Sequence, residues 1–291
     1  MEAQLHPDTE IGPVSIKITN MEQSLRFYSE VIGFRLLSRD EAAATAVLTA
    51  DGKHPLLILE ANPNFRRLPE RSVSGLYHFA VLVPDRKSLG LVLRNLASHR
   101  IPIGQGDHLV SEALYLNDPD GNGIEIYADR PRETWQRNER GEYVMTTDPV
   151  DVDGLLSASE GADWNGLPDR TKIGHVHFHV GDLQLARRFY CETLGFEVTA
   201  HYGNSALFIS AGGYHHHIGL NLWAGAGAPA APEDAVGVRY FTVSVPNLDE
   251  LNELEKRLIA GRIPFERHSG DIVLRDPFGI GIRIEISDRE E

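Results

Sequence analysis

The chain has 291 residues, which exceeds the usual size of one domain and predicts two, each able to bury its own core. Its hydrophobic fraction of 42% and charged fraction of 24% are those of a globular protein, not of a disordered or fibrous one. A formal net charge of -14 argues against a nucleic-acid partner, whose binding surface needs a cationic stripe to displace counterions from phosphate.

Cysteine content and hydropathy indicate the cellular compartment in which the protein is expected. The single cysteine, Cys191, cannot form an intramolecular disulfide, and no Cys-x-x-Cys pair suggests a redox motif or a zinc ribbon. Residues 1–10 lack the apolar region of a signal peptide, and no apolar run reaches membrane-spanning length. We therefore expect a cytoplasmic protein that does not bind a membrane.

The first predicted elements are a strand and a helix. Residues 14–18 alternate in polarity, and residues 21–31 place Leu25, Tyr28 and Val31 on one helical stripe that ends at Gly33. A second unit repeats this order with more strands. Its predicted elements are a strand at 76–83, a helix at 86–98, a strand at 113–117, a turn at 118–121 and a strand at 123–127. Each unit is predicted to be a βαβββ module.

A polar segment, residues 131–171, follows the second module. It is rich in Asp and Glu and has no sustained periodicity, so we predict a long connection across the surface. Trp135 and residues 153–156 are short clusters suited to packing or to one helical turn. No chemistry is predicted for this segment.

The chain is a tandem duplication. Arg-Phe-Tyr at 26–28 returns at 188–190, and Val-Pro at 83–84 returns at 245–246; both offsets are 162 residues (188 minus 26, and 245 minus 83). Modules three and four are predicted to begin at Lys172 and Gly237.

Three side chains are candidates for a metal site. His78 and His175 lie near the start of the first strand of their modules, and Glu125 lies between Ile124 and Ile126 on the last strand of module two. Because side chains alternate along a strand, the apolar neighbours packed under a helix turn these three toward the opposite face. Two imidazoles and one carboxylate form a facial triad that leaves positions free for a bidentate substrate and dioxygen, which suits Fe(II); the same ligands accept Mn(II).

Several strings of residues carry a resemblance to a known family. They comprise the Phe-Tyr helices that end at Leu-Gly-Phe or Ile-Gly-Phe, Gly174-His175, and residues 75–78, 111–116, 118–127, 129–131 and 213–221. With the duplicated modules they resemble the vicinal oxygen chelate (glyoxalase/bleomycin resistance/extradiol dioxygenase) superfamily over nearly the whole chain. Within it the chain is similar to two-domain proteins of the catechol 2,3-dioxygenase type.

The resemblance implies an α+β fold, in which a tandem duplication of paired βαβββ modules forms curled, cup-like mixed sheets. It implies an N-terminal domain at 1–130, the polar connection at 131–171 and a C-terminal domain at 172–291. The implied activity is extradiol cleavage by Fe(II), with an aromatic diol and O2 as partners in aromatic catabolism. A homo-oligomer is compatible with this reading.

The usual location of the metal in such two-domain enzymes, the C-terminal domain, does not fit this sequence. Module four has Tyr240 at the position of His78 and Arg283 at that of Glu125, while module one has Pro13 at the position of His175. We therefore predict a site built across the repeats by modules two and three, from His78, Glu125 and His175. Modules one and four would form a counterpart without metal.

The resemblance also places three catalytic residues. His217 is the implied acid/base, Tyr115 an active-site tyrosine, and His108 a further histidine on the substrate side. Other histidines are expected to support the site or to lie at the surface, namely His177, His179, His201, His215 and His216.

Three alternatives stay open. One is a conventional C-terminal metal site with His175, Tyr240 and Glu285. Another is a glyoxalase-like or epimerase-like lyase or isomerase that uses the metal as a Lewis acid; against it, Asn221 stands where a second carboxylate would be needed. The third is a metal-free protein that binds or sequesters an aromatic compound. The sequence leaves open which catechol is used, which metal is native and what the oligomeric state is.

Overall fold

The computed structural model describes residues 4–287, which form four βαβββ modules. Module one contains β1 (Glu10–Ile18), α1 (Met21–Arg26), β2 (Arg35–Asp40), β3 (Thr45–Thr49) and β4 (Leu57–Ala61). Module two contains β5 (Gly75–Leu82), α2 (Arg86–Ser98), β6 (Gly104–Asp107), β7 (Ser111–Asn117) and β8 (Gly123–Asp129). The connection carries one 3₁₀ turn (Arg132–Thr134) and the short helix α3 (Val152–Ala158).

The second repeat has the same order of elements. Module three contains β9 (Lys172–His179), α4 (Leu183–Arg187), β10 (Glu197–Tyr202), β11 (Ala206–Ser210) and β12 (Ile218–Asn221). Module four contains β13 (Gly237–Val245), α5 (Leu248–Ala260), β14 (Phe265–His268), β15 (Asp271–Arg275) and β16 (Gly281–Ile286). The predicted starts of modules three and four, Lys172 and Gly237, are confirmed as the first residues of β9 and β13.

The modules pair across the two repeats and not within them. One eight-stranded mixed sheet has the order β14-β15-β16-β13-β1-β4-β3-β2, which joins module four to module one. The other has the order β10-β11-β12-β9-β5-β8-β7-β6, which joins module three to module two. Each sheet is held at its centre by an antiparallel pair, β1 with β13 and β5 with β9. The predicted division into an N-terminal domain ending at residue 130 and a C-terminal domain beginning at residue 172 follows the repeat. It stays a prediction, since each sheet contains strands from both halves of the chain.

The first helices of modules one and three share one local design. Asn20 and Asp182 cap α1 and α4 by accepting hydrogen bonds from backbone N–H groups of the first turn. Each helix continues as a π-helical turn, Phe27–Ile32 and Arg188–Leu194, and ends at a glycine in the left-handed conformation. Gly33 and Gly195 have φ of 97°, which a residue with a side chain rarely adopts.

A buried tyrosine from each of these helices joins the two sheets. The Tyr28 hydroxyl donates to Asp118 Oδ2 at 2.9 Å, which links module one to the β7–β8 turn of module two. The Tyr190 hydroxyl donates to Asp276 Oδ2 at 3.0 Å, which links module three to the β15–β16 turn of module four. Both tyrosines are completely buried and both aspartates are 5% exposed, so water competes little for these two bonds between the sheets.

We expect Asp276 to make the stability of the fold depend on pH. Burial raises the pKa of this carboxyl from 3.8 to about 6, against the hydrogen bonds it accepts from the Ile280 and Phe278 amides and from Tyr190. Since the folded pKa lies above the unfolded one, the contribution of Asp276 to stability is complete below pH 3.8 and is lost as the pH rises through 6. The loss amounts to about 3 kcal/mol.

Asp276→Asn keeps the Oδ1 acceptor for both amides and removes the titration. Urea unfolding at pH 4 and pH 7 should show the variant gaining about 2.5 kcal/mol relative to the wild type between the two pH values. Comparing the two proteins at each pH cancels the effect of the other carboxylates. An equal difference at both pH values would contradict the expectation.

Candidate active site

Three neighbouring strands of the second sheet carry the candidate metal ligands. On β5, Ala80 pairs in register with Glu125 of β8 on one side and with His175 of β9 on the other. His78 lies two residues before Ala80 and so faces the same way. Because Ala80 has only a methyl group, the three longer side chains around it can approach one another.

The three side chains converge to one point. One ligand atom from each of His78, Glu125 and His175 lies within 4.8 Å of the other two, and all three residues are at most 4% exposed. Glu125 Oε2 is 3.0 Å from His78 Nε2 and 3.1 Å from His175 Nε2. Within residues 4–287 it is the one group of three His, Cys, Asp or Glu side chains with this geometry.

The arrangement fits a divalent metal ion better than a hydrogen-bonded cluster. Despite the short distance, His78 Nε2 is not aligned for a hydrogen bond to Glu125, and this buried nitrogen has no other partner. Two ligand atoms that lie about 2.1 Å from one ion, at right angles to each other, are about 3 Å apart. Glu125 Oε2 lies at this distance from both imidazole nitrogens. Two neutral nitrogens and one anionic oxygen also form the donor set that Fe(II) and Mn(II) accept.

Electrostatics keep Glu125 and His78 in the protonation states of ligands. Burial alone would raise the pKa of Glu125, but His175 and His78 together hold it well below its usual value. Burial lowers the pKa of His78, with Glu125 opposing the shift. The carboxylate is therefore ionised and His78 neutral near neutral pH, as metal binding requires.

The structure brings His108 and Tyr115 together beside this group. His108 Nδ1 donates to the Thr146 carbonyl oxygen at 2.6 Å, and its Nε2 accepts a hydrogen bond from the Tyr115 hydroxyl, also at 2.6 Å. Tyr115 lies opposite Glu125 in the β7–β8 register, and its ring centroid is 5.6 Å from that of His78. The connection thus contributes to the site through Thr146, a role for which its sequence carries no signal.

The structure does not bring His217 to the three candidate ligands. The His217 ring packs against Tyr214 at a centroid distance of 4.9 Å, and its Nδ1 accepts the Ala211 amide. Burial lowers the pKa of His217 to about 3. The neighbouring His216 instead lies beside His175, with ring centroids 4.1 Å apart. Both residues precede the first residue of β12, Ile218, so the alternation of a strand does not decide which one faces the cup.

An aromatic wall borders the other side of the three ligands. The Tyr77 ring lies 5.2 Å from His177 and 5.3 Å from Trp223, and Phe208 lies 5.6 Å from His177. Asn221 holds this wall, because its Nδ2 contacts His177 Nε2 at 2.9 Å and its Oδ1 accepts the Trp223 amide at 2.9 Å. The amide of Asn221 is thus occupied in fixing its neighbours, and it offers no base for enediolate chemistry.

The equivalent place in the first sheet has a different chemistry. The Arg283 guanidinium lies at the position of Glu125 and binds Asp271 Oδ2 through Nε at 2.7 Å. Glu285 is 3.6 Å from the same Arg283 nitrogen. A cation here disfavours a second cation, so the alternative site of His175, Tyr240 and Glu285 gains no support from this geometry. It is also divided between the sheets, with His175 on β9 and the other two residues on β13 and β16.

Hydrogen bonds behind His216 form a chain that sequence analysis missed. His215 Nδ1 lies 2.7 Å from His216 Nδ1, and His215 Nε2 lies 2.9 Å from Asp129 Oδ1. Trp135 of the connection packs on the His215 ring at 5.1 Å. Consecutive histidines were visible at 215–217, but their partner Asp129 lies on β8 in the other repeat, and only the pairing of modules brings it close.

Four βαβββ modules, paired across a duplication into two mixed sheets, define the fold of vicinal oxygen chelate proteins. The chain belongs to the Glyoxalase/Bleomycin resistance protein/Dioxygenase superfamily, whose family model matches residues 10–126 and 172–284. None of the helices within residues 4–287 combines the length and hydrophobicity that crossing a bilayer requires.

Two curated relatives are dioxygenases. The chain is 54% identical over 274 residues to a catechol-2,3-dioxygenase of Bacillus subtilis, which covers 94% of this chain and 95% of that protein. It is 32% identical over 127 residues to an iron-dependent extradiol dioxygenase of Rhodococcus jostii, which covers 40% of this chain and 42% of the relative. Glyoxalase I from Zea mays shares the fold, with a TM-score of 0.58 at 14% identity over 95% of this chain and 92% of that one. The chain is thus a homologue of extradiol dioxygenases.

Proposed function

We propose that this protein is an Fe(II)-dependent extradiol dioxygenase that cleaves a catechol beside its two hydroxyl groups. The observation that carries the proposal is the convergence of His78, Glu125 and His175 in a cup walled by aromatic rings. The full-length similarity to a catechol-2,3-dioxygenase supports the reaction class. The relative named iron-dependent supports the choice of metal.

His78, His175 and Glu125 would hold the ion and leave further coordination positions free. Bound there, Fe(II) supplies an electron conduit between a chelating catechol and dioxygen. Mn(II) is the alternative occupant, because the same donor set accepts it and availability decides between them.

His216 is the residue we assign to proton transfer, in preference to His217. Its ring lies 4.1 Å from His175, whereas the His217 ring faces Tyr214. Burial, followed by the charges of His175 and His215, holds the pKa of His216 well below its usual value, so the ring is neutral and can accept the proton of a catechol hydroxyl. It then returns this proton to an oxygen of the cleaved product.

Tyr115 and His108 would orient the substrate from the other side. Since the Tyr115 hydroxyl donates its hydrogen bond to His108 Nε2, the Tyr115 oxygen presents its lone pairs to a catechol hydroxyl. Burial raises the pKa of Tyr115 well above its usual value, with Glu125 adding to the shift, so the phenol stays protonated. The wall of Tyr77, Trp223 and His177 offers ring faces and edges to a planar aromatic substrate.

The test is oxygen consumption by protein purified anaerobically and supplied with Fe(II). We expect one O2 consumed for each catechol, together with a yellow ring-fission product. Metal-free protein and protein supplied with Zn(II) should consume none. Hydrogen peroxide formation without ring cleavage, or turnover of a hemithioacetal substrate without O2, would reject the proposal in favour of another reaction of the superfamily.

A further inference from the structure

A hydrogen-bonded chain connects the candidate base His216 to the carboxylate of Asp129. Asp129 belongs to module two and His215 to module three, so the chain crosses between the repeats as the candidate ligands do. His215 is completely buried and His216 is 8% exposed, so water competes little for these bonds. The Tyr214 hydroxyl donates to the same Asp129 oxygen at 3.2 Å, and the Tyr127 and Tyr214 hydroxyls are 2.7 Å apart.

The direction of each hydrogen bond in this chain follows from which groups can donate. An ionised carboxylate only accepts hydrogen bonds, so His215 Nε2 must carry the hydrogen directed at Asp129. With one proton on the His215 ring, its Nδ1 is an acceptor, and the hydrogen between the two rings belongs to His216 Nδ1. His216 Nε2 is then the unprotonated nitrogen, and no described residue hydrogen-bonds to it.

We propose that Asp129 is a positioning residue that acts through His215 to hold His216 in the tautomer whose Nε2 is the free base. This inference rests on the proposed function, because it gives His216 a proton to accept. In this role Asp129 acts through His215 and makes no contact with the substrate. Its 2.9 Å bond fixes the His215 ring, and the edge-to-face contact of Trp135 with that ring restrains it further.

Three single variants test this hydrogen-bonded chain. Asp129→Ala removes the acceptor, and His215→Phe removes the relay while keeping an aromatic ring against Trp135. Tyr214→Phe is the control, because it removes the other hydrogen bond to Asp129 and leaves the His215 bond in place. Urea unfolding of all three variants at pH 7 checks that they are folded.

The first readout is the tautomer itself. In protein labelled with ¹⁵N-histidine, both metal-free and loaded with diamagnetic Zn(II), two-bond ¹H–¹⁵N correlations report which nitrogen of each ring carries the proton. His216→Phe identifies the His216 signals by their absence. We expect the proton on Nδ1 of His216 in the wild type and in Tyr214→Phe, and a mixture of tautomers in Asp129→Ala and His215→Phe.

The second readout is the split between kcat and KM for catechol in iron-loaded protein. We expect kcat to fall about 10-fold to 100-fold in Asp129→Ala and in His215→Phe, with KM and iron content unchanged. The double variant should fall no further, since both residues act through one path. A wild-type His216 protonated at Nε2, or an Asp129→Ala variant with wild-type tautomer or kcat, would overturn the inference. Absence of ring cleavage in the wild type would instead reject the proposed function, and the spectra would still decide the tautomer.

Discussion

Replacing Glu125 by alanine is expected to remove iron binding and ring cleavage together. Glu125 is the one anionic member of the group, and its Oε2 lies 3.0 and 3.1 Å from the two imidazole nitrogens. Without it, two imidazoles remain in a buried site, where a divalent cation has no compensating negative charge. We expect bound iron to fall below a tenth of the wild-type content and kcat/KM for catechol to fall on the order of a thousandfold or more.

The same measurement separates the site across the repeats from a site in the C-terminal half. Protein purified anaerobically is assayed for iron and for the yellow product after His78→Ala, and after Tyr240→Ala as the matched control. Tyr240 occupies the position in module four that corresponds to His78, but it lies in the first sheet, on β13. We expect His78→Ala to lose iron and activity and Tyr240→Ala to keep both. Full iron and activity in His78→Ala would make His175, Tyr240 and Glu285 the set to test.

The location of the three candidate ligands could be predicted because two simple regularities apply to them. The repeat offset indicated which modules kept histidine and glutamate at matching positions, and the period of a strand indicated which face they share. Both regularities hold where residues lie inside long strands, as His78, Glu125 and His175 do on β5, β8 and β9. The register of Ala80 with Glu125 and His175 then sets the convergence.

The residues around the ligands could not be predicted in the same way. His216 and His217 lie in an irregular segment before β12, where no period relates a position to a face. Thr146 and Trp135 belong to a connection that contacts the site through one backbone carbonyl and one ring. Every residue has a backbone carbonyl, so no residue type marks the one that accepts this hydrogen bond. These contacts arise from the tertiary path of the chain, which local patterns do not encode.

Exchanging His216 for phenylalanine is expected to separate metal binding from catalysis. The substitution keeps a ring beside His175 and Phe208 but removes both nitrogens, so the metal ligands stay in place and the base is lost. General acid–base catalysis contributes about 10²-fold to 10⁴-fold, and we expect kcat to fall by that factor while iron content stays at the wild-type level.

His217→Phe should lose only the hydrogen bond from the Ala211 amide, which costs about 1 kcal/mol of stability and leaves kcat within about threefold of the wild type. Steady-state oxygen consumption, normalised to bound iron, compares the two variants. If His217→Phe shows the large loss and His216→Phe does not, proton transfer belongs to His217, and the segment before β12 must rotate when substrate binds to bring that ring into the cup.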